Sequence, residues 1–130
     1  MNEISITANR SVVFCARIYD HNTGAILKPT EIEAISYTAN KIVLKLQRIT
    51  YLPVTGHTNI SVPIIPTALE SPIQDEYWHS DDIGYSFIHE PDIRTNPLFV
   101  ELGTYEVVYT IRPITGNPVV IPFRVSVESI

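Results

Sequence analysis

A chain of 130 residues with 45% apolar side chains is long enough for one domain with its own core, and too apolar for wholesale disorder. Its net charge of −5, with nine basic residues against fourteen acidic, and the lack of a concentrated basic patch weigh against a nucleic-acid partner. One cysteine, Cys15, excludes an intrachain disulfide, and no apolar run reaches the length of a membrane span. The opening Met1-Asn2-Glu3-Ile4-Ser5 has neither the basic nor the apolar region of a signal peptide, so synthesis in the cytosol is expected.

Taken in chain order, the predicted elements are strands. Period-two alternation recurs and helical periodicity does not. Ile4 and Ile6 mark a short first strand. Ser11 to Asp20 is the next, with Val12, Phe14, Ala16 and Ile18 inward, and His21-Asn22-Thr23-Gly24 is a turn. The β-branched and aromatic run Ile32 to Tyr37 predicts a third strand, ending in a turn at Asn40. A half-exposed strand follows, in which Ile42, Leu44 and Leu46 alternate with Val43, Lys45 and Gln47. Residues 51–76 hold Pro53, Pro63, Pro66 and Pro72, four of the ten prolines. They are expected to form a long irregular excursion, with a short strand around Asn59 to Val62 and one helical turn at Thr67-Ala68-Leu69-Glu70. Its apolar Ile64, Ile65 and Leu69 are expected to pack on the domain itself or on a neighbouring subunit.

Next, Tyr85 and Phe87 point inward from a strand that follows an acidic loop. The C-terminal hairpin is the most regular feature. Tyr105, Val107, Tyr109 and Ile111 share one face, and Val119, Ile121, Phe123, Val125 and Val127 share the returning one, across a turn at Pro113-Ile114-Thr115-Gly116-Asn117. Pro122 cannot donate a ladder bond and predicts an edge position or a bulge. Seven or eight such strands in residues 1–130 predict a single all-β domain, an immunoglobulin-like antiparallel sandwich.

Four features bear on function. The segment Trp78 to Glu90 holds His79, Asp81, Asp82, His89 and Glu90, residue types that bind metals. Their spacing matches neither a zinc nor a calcium motif, and an exposed loop running into a strand explains them as well. No Lys or Arg occurs between Arg48 and Arg94, whereas seven of the fourteen acids do: Glu70, Asp75, Glu76, Asp81, Asp82, Glu90 and Asp92. Such a field either steers a basic partner onto this face or only keeps the domain soluble. Trp78, the single tryptophan, lies beside Tyr77 and is either a core or lid residue or an exposed binding anchor. Cys15 sits mid-strand between Phe14 and Ala16, the place of a small packed residue and not of an activated thiol. With no nucleophile elbow and no phosphate loop, no catalytic residue and no cofactor are expected.

The second half carries a resemblance. Trp78 is followed by Gly84-Tyr85-Ser86-Phe87-Ile88-His89, then Gly103-Thr104-Tyr105-Glu106-Val107-Val108-Tyr109, Gly116-Asn117-Pro118 and Phe123-Arg124-Val125. Over residues 78 to 127 this resembles small immunoglobulin-like β-domain proteins of phages, cyanophages among them, and of phage-like gene clusters. These share a Trp, a Gly-Tyr-Asn-Phe-like segment and a Gly-x-Tyr-x-Val-x-Tyr hairpin ending in Phe-x-Val. Ser86 stands here where that pattern has Asn. The resemblance implies a virion setting without a transferable active site.

The expectation is therefore a non-enzymatic virion protein of the capsid cement or decoration type, bound between major capsid subunits and self-associating as a dimer or trimer. Its contacts would come from Ile64, Ile65, Leu69, Asp75, Glu76, Tyr77, Trp78, Asp81 and Asp82. One alternative is a tail or baseplate component or an adhesion module for host glycans, which an exposed Tyr77–Trp78 cluster would favour. Another is a metal-dependent enzyme, for which His79, Asp82 and His89 would have to converge.

Overall fold

Strand formation follows the alternation of apolar and polar side chains, and the buried positions fill the space between two sheets. The computed structural model describes residues 2–130. The strands are β1 (Asn2–Thr7), β2 (Phe14–Ala16), β3 (Ile32–Lys45), β4 (Arg48–Pro53), β5 (Ile60–Val62), β6 (Ala68–Ile73), β7 (Tyr85–His89), β8 (Gly103–Pro113) and β9 (Val119–Ser129). The large sheet runs β1-β9-β8-β3-β4, with β5 also on β3, and the small one runs β2-β7-β6. The fold is all-β with two sheets. One pair departs from the antiparallel expectation: β1 runs parallel to β9, from Asn2 opposite Phe123 to Ile6 opposite Val127.

The core is one cluster shared by both sheets. Tyr105, Val107, Tyr109 and Ile111 of β8 are buried, as are Phe123, Val125 and Val127 of β9, while Val119 and Ile121 are half-buried. Phe14 and Phe87 of the small sheet pack on Tyr109, at ring separations of 5.8 and 4.9 Å. Val12, Phe14, Ala16 and Ile18 all point inward as expected. The ladder there is shorter than the predicted strand, because only Phe14–Ala16 meets β7. Beyond it Ile18 N–H donates to Ser86 Oγ at 3.0 Å, so a side chain replaces the missing ladder bond. Pro122 pairs with Val108 of β8, and among the described residues the β1 ladder runs from Phe123 onward.

Two expectations are corrected. No turn occurs at Asn40, which lies between Pro53 and Glu106 inside a fourteen-residue strand. The chain turns instead at Leu46-Gln47, both left-handed with φ of +52° and +63°, and returns as β4. Residues 51–76 are also not an irregular excursion. They hold short elements: the end of β4, β5, a tight turn at Ile64–Thr67 and β6, which crosses to the small sheet. The helical turn expected at Thr67–Glu70 is not formed: Ala68–Ile73 is strand, and the turn before it has non-helical backbone at Ile65 and Pro66.

Between β4 and β5 the loop 54–59 bonds back to the middle of β3. Ala39 accepts from Val54 N–H and donates to His57 C=O. This places the His57 ring in the core, 1% exposed. Tyr37 OH donates to its Nδ1 and its Nε2 donates to Asn96 C=O, each at 2.6 Å, so both ring nitrogens are satisfied. Gly56, at φ +84°, makes the turn possible, since a Cβ there would lie 2.3 Å from the Asn96 side chain.

Candidate functional site

Arg17 leaves β2 toward the acidic loop and gathers it. Its two terminal nitrogens reach the Asp81 carboxylate at 3.0 and 2.6 Å, its Nε donates to Tyr19 OH, and the guanidinium also donates to Gly84 C=O at 3.0 Å. The same guanidinium lies 5.7 Å from the Tyr19 ring and 5.6 Å from the Trp78 ring. Asp81 accepts further bonds from Trp78 Nε1 at 2.9 Å, from Ile83 N–H and from Gly84 N–H. The bond from Arg17, then that from Trp78 and the two backbone donors, hold the Asp81 carboxyl well below the usual carboxylate range. Arg17 is held charged in return.

A second clasp sits at the other end of the loop. Asp75 accepts from Tyr85 OH at 2.7 Å and from Tyr77 N–H at 2.9 Å. Gly84, at φ +107°, lets β7 pass against the end of β6, where a Cβ would lie 2.4 Å from Ile73 C=O.

The clasped loop forms one wall of a groove of about 620 Å³ at the open side of the sandwich. Its floor is apolar, with Ile4, Val13, Cys15 and Ile121, and its rim carries Tyr19, Tyr77 and Trp78. Trp78 is half-buried on this rim, as a lid over Arg17 and Tyr85, and does not lie between the sheets. Tyr77 is 48% exposed. Cys15 in the floor is half-buried. Burial first, then the charge of Asp75, pushes its thiol up to about 11, so it stays protonated at neutral pH.

The remaining contact candidates are dispersed. Ile64 and Leu69 are half-buried, Ile64 against the core, whereas Ile65 is 74% exposed. Glu76 and Asp82 are exposed and form no ion pair among the described residues. His79, Asp82 and His89 are not brought together. His79 is exposed on the loop, while His89 is half-buried with Nδ1 hydrogen-bonded to Tyr109 OH at 2.7 Å. Burial lowers the His89 pKa, partly opposed by the charge of Glu90. Among the described residues, no group of three His, Cys, Asp or Glu side chains is placed to hold a metal ion. Among those residues, no helix is long and apolar enough to cross a membrane.

No protein-family model, curated protein or solved structure matches the chain.

A second surface was not singled out from the sequence. Pairing of β3 with β8 ends at Ile42, so residues 43–50 form a two-stranded arm beyond the sheet. Every residue of β4 is exposed. Ile42, Leu44, Ile49 and Tyr51 share one face of the arm, because Leu44 lies opposite Ile49 and Ile42 opposite Tyr51. Leu46 at the tip is 91% exposed. Lys45 and Arg48 flank the tip without an ion pair among the described residues, whereas Lys41 at the base is paired with Glu101. One signal was available: no Asp or Glu occurs between Glu33 and Glu70, while three of the nine basic residues fall inside that stretch, Lys41 at the base of the arm and Lys45 and Arg48 on it.

Proposed function

We propose that this chain is a non-enzymatic structural protein of a virus particle, a cement or decoration protein that bridges shell subunits. A bridge requires at least two separate adhesive surfaces on one domain. The observation that carries the reading is apolar surface left exposed at separate places on the domain: Ile65 in the turn before β6, and Leu44, Leu46 and Ile49 on the β3–β4 arm. Stable monomers seldom keep large apolar groups exposed together at one place. The virion setting and the immunoglobulin-like assignment rest on the resemblance over residues 78 to 127. Ile65, 74% exposed beside Pro66, is the apolar contact offered to the shell.

Co-sedimentation of the purified chain with shells of the virus that encodes it tests the reading. The chain is expected in the shell pellet, and Ile65→Glu is expected to remain largely in the supernatant. Failure of the unmodified chain to pellet overturns the proposal.

A specific observation favours one other reading, an adhesion module for host glycans. Tyr19, Tyr77 and Trp78 on the groove rim offer ring faces of the kind that sugar rings pack against. Chemical-shift changes at these three residues on titration with host-surface oligosaccharides would support that reading, and unchanged spectra would remove it.

A further inference from the structure

The arm and the groove are complementary to each other. The arm is apolar on one face and carries at its tip two cations, Lys45 and Arg48, that form no ion pair among the described residues. The groove has an apolar floor, and two anions without an ion pair among the described residues, Glu76 and Asp82, flank the segment Tyr77–Asp81 that lines it. Arg17, the one guanidinium in that wall, is already neutralised by Asp81.

The arm cannot reach the groove of its own chain. Ile121 of the groove floor is level with Tyr109 and Tyr37 across the ladder. Leu46 lies nine residues further along the chain from Tyr37, roughly 30 Å at the rise of a strand. The arm leaves the sheet at the β3–β4 edge, whereas the groove opens beside β1 and β2 at the opposite edge. A symmetric pairing of two arms is also disfavoured, since it would bring the cations of both tips onto one small interface with no anion to offset them.

The tip has a second peculiarity. A two-residue hairpin turn with both residues left-handed ordinarily carries Asn-Gly or a similar pair. Here Leu46 and Gln47 adopt φ of +52° and +63°. This turn sets the exposed Leu46 at the very end of the arm.

We infer that the chain self-associates head to tail, the β3–β4 arm of one copy seated in the groove between β2, the β1–β9 edge and the 74–84 loop of the next. Such a contact is heterologous: it closes into a ring if the rotation permits and otherwise propagates. It stands whether or not the chain belongs to a virion.

Two variants at exposed positions test it. Leu46→Glu with Ile49→Glu disables the arm, and Tyr77→Lys with Asp82→Lys disables the groove. Circular dichroism and thermal melting confirm that each remains folded. By size exclusion with light scattering, the unmodified chain is expected to exceed 14.6 kDa increasingly with concentration, and less so at high salt. Each variant alone is expected to stay monomeric. Their equimolar mixture is expected to form a one-to-one pair and nothing larger, because one supplies the arm and the other the groove. A monomeric unmodified chain at every concentration overturns the inference. So does self-association of either variant alone, which would point to a symmetric contact, and so does a mixture that stays monomeric.

Discussion

The double substitution Leu46→Asn with Gln47→Gly probes the arm most sharply. Both residues sit in left-handed backbone conformation, which costs an ordinary L-residue roughly 1–2 kcal/mol each. Asn tolerates this region and Gly enters it freely. Against that gain, Gly adds about 0.5–1 kcal/mol of unfolded-chain entropy. Little packing is lost, because Leu46 is almost fully exposed. The net expectation is a stabilisation of about 1 kcal/mol, which for a domain of this size is a rise in Tm of roughly 3–5 °C. Differential scanning calorimetry at low concentration, where self-association contributes nothing, measures it. The same variant is expected to lose concentration-dependent association, since it removes the leucine at the tip. A Tm that falls or stays unchanged would refute the argument that the turn is strained.

Other parts of the structure predict as follows. Gly84→Ala forces a Cβ onto Ile73 C=O at a left-handed position, so a loss of several degrees in Tm is expected. Tyr109→Phe leaves the half-buried His89 Nδ1 without its hydrogen-bond partner, and urea unfolding is expected to show a loss of about 1–2 kcal/mol. The His89 pKa is lowered in the folded state, so the folded form disfavours the charged ring. Its contribution is present above the ordinary value of 6.5 and is lost as pH falls below it. Stability is therefore expected to drop between pH 7.5 and 5.5, and less so in His89→Gln, as measured by urea midpoints at both pH values. Arg17→Gln frees the Asp81 carboxylate and is expected to speed amide hydrogen exchange at Ile83 and Gly84 while leaving the β8 amides protected.

What was legible in the sequence follows from how long each alternation persists. The β8–β9 hairpin repeats its pattern over eleven residues per strand, and its buried residues were read position by position. The inward set Val12 to Ile18 was read equally well, though a three-residue ladder cannot be told from a ten-residue one by polarity alone. The arm escaped notice for two reasons. Leu46-Gln47 carries none of the usual turn residues, and β4 is exposed on both faces, so burial imposes no pattern on it. Asn40, a residue common in turns, is instead held in the ladder by neighbours on both sides. In residues 51–76 the prolines were read as breaking structure, whereas they bound strands too short to show alternation. At the groove, Tyr77, Trp78 and Asp81 were candidates from composition. Arg17 and Tyr19 were not, because only the folded chain places β2 against a loop sixty residues away.

As proposed, this chain is a component of a particle, present in many copies and bound through surfaces its own fold leaves open. Quantitative mass spectrometry of purified virus particles from its source puts that proposal to the test. The 14.6 kDa chain is expected in those particles at a copy number comparable to the major shell protein. Its absence from them would contradict the claim.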